Sequence, residues 1–273
     1  MLAVCLAFRN SARYLREWLL FHQAVGFDRF YLYNNDSEDD FARVLAPFMA
    51  APAPGRRPLI ELAQWPGYFQ QNEIYNDCLK RAATDGVRWL AFIDDDEFLY
   101  AVPPHTLAET LRGFEAFAGV AVCWQLYGSS GHIHAEVDWV IRRFTHHAVT
   151  PDQHVKCIVQ PRHIVRAVAG GHLFEPAPGF SVVDEKSHRL DAALTPHPSA
   201  DLLRINHYLT KSIEELVERR TSRDIGYGDK QKLPLLEWVR LDRGWNAVED
   251  ASALAMEARM KQIAAVLNVD AGA

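Results

Sequence analysis

Hydrophobic positions in the first hundred residues switch repeatedly between short unbroken runs and a helical period. Residues 2–8 are wholly apolar and read as a strand buried on both faces. Leu15, Trp18, Leu19 and His22 recur at helical spacing over residues 13–25, and Gly26 supplies a helix stop. Residues 30–33 form the next apolar run, closed by Asn34, Asn35, Asp36 and Ser37. A short helix over 41–49, a Pro-rich loop over 51–58 and a strand over 59–62 follow. Tyr75, Cys78, Leu79 and Ala82 then mark a helix, and residues 89–93 another buried strand. Strands alternating with helices predict an α/β chain with a mostly parallel, doubly wound sheet flanked by helices.

The second half is less regular. A helix over 107–117 and a strand over 120–126 are expected, after which Gly, His and Pro become frequent and the strands short, to about Leu203. In an α/β enzyme this is where an acceptor site and lids are built. Ser212 with Glu215 reads as a capping box that opens a helix. A final helix over 249–267 places Met256, Met260, Ile263 and Leu267 on one face, read as core packing. Residues 1–210 are accordingly expected to form the main domain, with a nucleotide-binding half (1–100) and an acceptor-side half (101–210), and residues 211–273 a helical C-terminal extension.

The stretch richest in chemistry is Asp94-Asp95-Asp96-Glu97, directly after the apolar run 89–93. Carboxylates do not belong in such a core, so they sit where the strand ends, and ligands of open α/β sheets bind at the carboxyl ends of strands. In an extended chain Asp94 and Asp96 point to the same side. Two hard oxygen donors suit Mn²⁺ or Mg²⁺, with a substrate diphosphate completing the shell. The competing reading is a solvated turn or helix cap, where Asp and Glu are also favoured.

Bulk composition narrows the field. A chain of 273 residues suits one large domain, or one with a small appendage. Its net charge of −6 argues against a general nucleic-acid binder while leaving room for a local basic pocket. Cys5, Cys78, Cys123 and Cys157 are widely spaced, without a CxxC pair, and read as buried thiols of a reducing compartment. No stretch has the length of a transmembrane helix, and Met1 to Phe8 read as a core strand rather than a signal peptide. The expected setting is cytoplasmic, with peripheral membrane contact as the alternative.

Several motifs stand in order: Arg9-Asn10; Tyr14-Leu15-Arg16-Glu17-Trp18 and His22; Tyr31-Leu32-Tyr33-Asn34-Asn35-Asp36-Ser37; Asn76-Asp77-Cys78-Leu79; Phe92 to Leu99; Gly128-Ser129-Ser130-Gly131-His132; and Asn206-His207-Tyr208-Leu209-Thr210-Lys211-Ser212. Together, over about residues 1–230, the set resembles glycosyltransferases of the family 2 and family 92 type. That resemblance implies the GT-A fold, a Rossmann-like α/β architecture, here followed by C-terminal helices. It also implies a nucleotide-sugar donor, a UDP-sugar by expectation, and a metal on an Asp-x-Asp motif, here Asp94 to Asp96, with His207 completing the metal or diphosphate site. Asp36 would hold the uridine or its ribose, and Arg9, Asn10, Asn76, Lys156 and Lys211 are further donor-site candidates. Relatives commonly carry Lys-Asn-Glu after the first strand, whereas this chain has Arg9-Asn10-Ser11 and lacks that acid.

The implied reaction moves a sugar onto a glycan or other hydroxyl acceptor, with inversion at the anomeric carbon. The diphosphate gathers negative charge as it leaves, which a metal or nearby cations (Lys156, Arg162, Lys211) would offset. The acceptor hydroxyl must lose a proton to a base. Asp138, Asp152, His132 and Asp184 are the candidates, and the sequence does not choose among them. Trp124 and Trp139 are either sugar-stacking surfaces or core, while His146, His147 and His154 read as surface or loop residues. Two alternatives stand beside a transferase: a nucleotidyltransferase, disfavoured by the absence of glycines after the first strand, and a non-catalytic carbohydrate-binding or scaffold protein.

Overall fold

The computed structural model describes residues 1–49, 58–67, 70–221 and 234–270. The Pro-rich loop expected over 51–58 lies, but for Pro58, outside the described residues. The chain runs β1 (Leu2–Phe8), α1 (Ala12–Val25), β2 (Arg29–Asn34), α2 (Phe41–Leu45), β3 (Ile60–Gln64), α3 (Gln71–Thr84), β4 (Trp89–Phe92), β5 (Glu97–Ala101), α4 (Leu107–Leu111) and β6 (Gly119–Leu126). It continues with α5 (Val140–Arg143), β7 (His146–His147), β8 (Val155–Val159), β9 (Ile164–Ala169), β10 (Leu173–Pro176), β11 (Val182–Asp184), β12 (Leu203–His207), α6 (Ile213–Thr221), α7 (Leu235–Gly244), β13 (Val248–Glu249) and α8 (Glu257–Leu267).

Among the described residues one large sheet has the order β3-β2-β1-β4-β8-β6-β12-β5, with β11 also pairing β6. β1, β2, β3 and β4 are parallel to their neighbours among themselves, as are β6, β11 and β12. β8 enters antiparallel between β4 and β6, and β5 antiparallel beside β12. The unbroken apolar run of β1 follows from burial on both faces. Leu2, Val4, Leu6 and Phe8 pack with Leu15, Trp18 and Leu19 of α1 on one side, and Ala3, Cys5 and Ala7 with Ile74, Tyr75 and Cys78 of α3 on the other. β6 and β8 approach so closely that a Cβ on Gly119 would lie 2.9 Å from the carbonyl oxygen of Ile158.

Expected and observed elements differ at two places that matter. The single C-terminal helix is divided: β13 pairs with β7, a 3₁₀ turn spans Ser252–Met256, and α8 starts only at Glu257. Met260 of α8 is fully buried, and Met256, Ile263 and Leu267 pack against the same core, as the stripe predicts. The acidic run does not stay extended. Asp95 and Asp96 form a turn and Glu97 already begins β5, which sends Asp94 and Asp96 in different directions.

The sheet order reverses beside β1, where β2 lies on one side and β4 on the other. Crevices for ligands open at such switch points, outside the carboxyl ends of the strands. The register of β12 adds a residue from far along the chain: His207 pairs with Glu97 of β5 and with Leu126 of β6, directly beside the acidic turn.

Candidate functional site

A cavity of about 260 Å³ opens at this reversal, lined by Arg9, Asn10 and Ser11 after β1, Tyr14 of α1, Asp95 and Asp96 of the turn, Thr210 and Lys211 after β12, and Glu215, Glu218 and Arg219 of α6. The acidic turn is pinned from beneath. Trp18 Nε1 donates to the carbonyls of Asp94 (3.0 Å) and Glu97 (3.1 Å), the Asp94 amide donates to Glu97 Oε2 (2.9 Å), and the Tyr208 amide donates to the Asp96 carbonyl (2.9 Å). His22 supports β5 from α1: its Nε2 accepts from the Leu99 amide (3.2 Å) and its Nδ1 donates to the Trp18 carbonyl (2.8 Å). Burial pushes the His22 imidazole down to about 3, so it stays neutral.

The three aspartates have separate surroundings. Asp96 faces His207, Oδ1 to Nε2 at 3.5 Å, and Arg219, Oδ2 to Nη1 at 2.6 Å. Burial alone would raise its pKa, but Arg219, His207 and Lys211 outweigh that and hold the carboxyl well below its usual range. Asp95 goes the other way: burial and the neighbouring Asp96 charge raise it against the pull of Lys211. Asp94 turns away and takes Lys156 Nζ at 2.7 Å, with Glu97 Oε2 3.6 Å from the same ammonium. Burial pulls the Lys156 ammonium towards neutrality, but the Asp94 and Glu97 carboxylates more than reverse it, so Lys156 stays charged.

Lys211 is the cation most exactingly placed in the cavity wall. Its backbone is left-handed (φ 53°), costly for a side chain of this size, and its Nζ lies 4.2 Å from the centre of the Tyr14 ring. Burial lowers its pKa while Asp96 and Asp95 restore part of it. The capping box of α6 is present, the Glu215 amide donating to Ser212 Oγ (3.2 Å) and the Ser212 amide to Glu215 Oε2 (3.1 Å). Glu215 is further held by Arg143 (2.9 and 3.1 Å) and Tyr14 (2.9 Å), which locks α6 against the body of the sheet. Buried Arg143 outweighs desolvation and lowers the Glu215 carboxyl to about 2.

The structure brings Arg9, Asn10, Asp96 and Lys211 together at the cavity, with His207 behind Asp96. Lys156 and Asp94 form a neighbouring pair. Asp36 and Asn76 stand outside the cavity lining. Asp36 accepts from the Gly67 amide (3.2 Å), and Asn76 accepts from the Ala167 amide (2.9 Å), joining α3 to β9. Of the base candidates, Asp138 holds Arg142 (2.9 Å) and the Trp139 amide, and His132 faces Glu136 (3.7 Å) near the start of α6. Asp184 is buried and knits its own turn through the Lys186 and His188 amides, and its Oδ2 holds His188 Nδ1 at 3.0 Å. Asp152 holds His154 at 2.6 Å. Arg162 contacts Gln160 and His163, away from the cavity. Trp139 is core, Trp124 is half-buried, and His147 is buried between Gln125 and Asp250 rather than at the surface.

Arg219 and Ser11 escaped sequence reasoning as site residues, and Asp95 entered it only as the middle of the acidic motif, although the helical period running from the capping box already puts 215 and 219 on one face. For a metal, the donor chemistry is Asp96 with His207. Among the described residues no group of three or more His, Cys, Asp or Glu side chains is set to hold an ion, and Asp94 is the partner of Lys156. One or two protein donors suffice for a hard cation that shares a diphosphate, so Asp96 and His207 fit such a role, while Asp94 is engaged by Lys156.

All four cysteines are free and buried, and no described helix is long and apolar enough to cross a membrane. The family model described as glycosyltransferase family 92 matches residues 1–171. A family 92 protein of rice (Oryza sativa subsp. japonica) is 31% identical over 163 residues, 59% of this chain and 27% of the relative. One from Ricinus communis is 28% identical over 189 residues, 67% of this chain and 33% of the relative. The Arabidopsis thaliana protein named galactan beta-1,4-galactosyltransferase is 23% identical over 166 residues, 56% and 33% of the two chains. The matched part is thus a third or less of each of these relatives. Among solved structures, Staphylococcus aureus TarS (residues 1–349) aligns over 96% of this chain and 71% of that one at 12% identity, with a TM-score of 0.41.

Proposed function

The chain belongs to glycosyltransferase family 92, and from that premise we propose that the cavity at the sheet reversal binds the diphosphate of a nucleotide-sugar, with a UDP-sugar as donor. The observation that carries this reading is the convergence of Arg9, Lys211 and Arg219 on one cavity whose floor is the ionised Asp96. Cations are kept inside a partly dry pocket when an anion is to be held there. Arg219 is poised to exchange Asp96 for phosphate oxygens. Lys211, fixed by its backbone and the Tyr14 ring, offers a point charge that needs little rearrangement.

Mn²⁺ or Mg²⁺ held by Asp96 and His207 would supply Lewis-acid neutralisation of the leaving diphosphate. The chain's own residues do the rest. Trp18 and Tyr208 fix the backbone of the acidic turn so that Asp96 needs no reorganisation. Lys156 stays charged beside Asp94 and offsets the acidity of the turn. Transfer by in-line displacement inverts the anomeric carbon, and a hydroxyl of a glycan is the expected acceptor. The named galactosyltransferase makes UDP-galactose the first donor to try and a β-1,4-galactan oligosaccharide the first acceptor. The scaffold alternative predicts binding without turnover.

The test is release of UDP from UDP-galactose, UDP-glucose and UDP-N-acetylglucosamine with Mn²⁺, with and without that acceptor. Turnover of one donor supports the transferase. UDP binding with no turnover of any donor supports the scaffold instead.

A further inference from the structure

Beside His207 and outside the cavity lining, one tryptophan carries three histidines. Trp124 lies 4.4 Å, ring centre to ring centre, from His207, 5.0 Å from His154 and 5.4 Å from His172. His154 is stacked on the indole, at 17° between planes. Its orientation is fixed from two directions. Asp152 Oδ1 accepts both the His154 amide (2.8 Å) and Nδ1 (2.6 Å). The loop itself is tied to the end of β6, the Asp152 amide donating to the Trp124 carbonyl (2.8 Å) and the Trp124 amide to the His154 carbonyl (3.1 Å).

With Nδ1–H committed to Asp152, the lone pair of His154 resides on Nε2, and half of the side chain is exposed. This is the base-and-orienter half of an acid–base relay, standing at the same edge of the sheet as the acidic turn. The other candidates are placed differently: Asp138 is paired with Arg142, His132 has Glu136 only at 3.7 Å, and Asp184 makes a like pair with His188 (3.0 Å) but in the turn after β11, a strand that pairs with the first residues of β6 rather than with its end. His172, whose ring lies 6.4 Å from His154, is pushed down to about 4 by burial and the Lys156 charge, which leaves it neutral. The charged or titratable groups facing His154 are thus Asp152 on its own loop and His172 on the neighbouring one, with Lys156 and Asp94 beyond.

Resting on the transferase reading above, we propose that His154 is the catalytic base and Asp152 its positioning residue. The acceptor hydroxyl gives its proton to His154 Nε2 while its oxygen forms the bond to the anomeric carbon. The anomeric carbon–oxygen bond to the diphosphate breaks, and its electron pair leaves with the nucleoside diphosphate. His154, protonated, returns the proton to solvent.

The experiment measures UDP release from the best-used UDP-sugar across pH for the wild type, His154→Gln and Asp152→Asn, alongside calorimetric UDP affinity of each. His154→Gln is expected to lower kcat by about 10²- to 10⁴-fold with UDP affinity retained, because His154 is not among the residues lining the cavity. Asp152→Asn is expected to lower kcat by roughly tenfold or more with KM and UDP affinity retained, since the acceptor that orients the His154 ring is gone. A His154→Gln variant that binds UDP and turns over within about threefold of the wild type overturns the proposal. So does an unchanged acid limb in that variant. Absence of any donor turnover by a wild type that binds UDP overturns the transferase reading, and the base assignment with it.

Discussion

Asp96 and His22 show how individual side chains set the electrostatics of this edge of the sheet. Asp96 is buried yet ionised because Arg219, His207 and Lys211 surround it, so removing a cation changes the charge of the pocket. Arg219→Ala is expected to weaken UDP binding by roughly tenfold or more, as loss of a charge-assisted contact does, with little change in thermal midpoint because the arginine is partly exposed. Parallel titration calorimetry and melting curves check this. His22 is held neutral at about 3, below the 6.5 of a free imidazole. The unfolded chain therefore binds more protons than the folded one between these values. Stability contributed by neutral His22 is complete above pH 6.5 and is lost as pH falls towards 3, at no more than about 1.4 kcal/mol per pH unit. Urea midpoints between pH 7 and 5 should fall more steeply in the wild type than in His22→Gln, which does not titrate. Equal slopes would show that His22 is not the group responsible.

At the level of elements, α6 and the β4–β5 turn carry the site. α6 is fastened by the Ser212 cap and by the buried Arg143–Glu215 pair. Ser212→Ala should cost about 1 kcal/mol, and Glu215→Ala about 3–5 kcal/mol because it strands a buried guanidinium. Denaturant titration measures both, and near-equal effects would mean that α6 is not held as described. The capping box, the α1 period and the apolar β1 run were all legible in the sequence because each is a local pattern. The course of the chain through Asp94 to Asp96 was not. An extended strand would have placed both carboxylates together, but Glu97 pairs with His207 in β5 and forces a turn there. The split of the C-terminal helix escaped for the same kind of reason: β13 exists only because β7, a hundred residues earlier, offers it a partner.

For the whole molecule, the alternation of strand and helix was enough to predict a mostly parallel sheet with helices on both faces. The insertion of β8 and the placing of β12 between β6 and β5 depend on pairings too distant in sequence to read from periodicity. Those pairings create the site, since they bring Lys156 to Asp94 and His207 to Asp96. The resemblance carried by the ordered motifs named His207 and Lys211 without that geometry, while Asp36 and Asn76 lie outside the cavity lining. Burial of all four thiols on the sheet and α3 gives a global test of packing. A thiol reagent should label no cysteine in the native chain and all four in denaturant, and labelling under native conditions would reveal local opening.

The most direct test of the central claim is a calorimetric titration with UDP, with and without Mn²⁺, of the wild type and of Asp96→Ala. Mn²⁺ is expected to strengthen UDP binding by the wild type, and Asp96→Ala to lose that strengthening. Equal Mn²⁺-dependent binding by Asp96→Ala, or no UDP binding by a folded wild type, would contradict the claim.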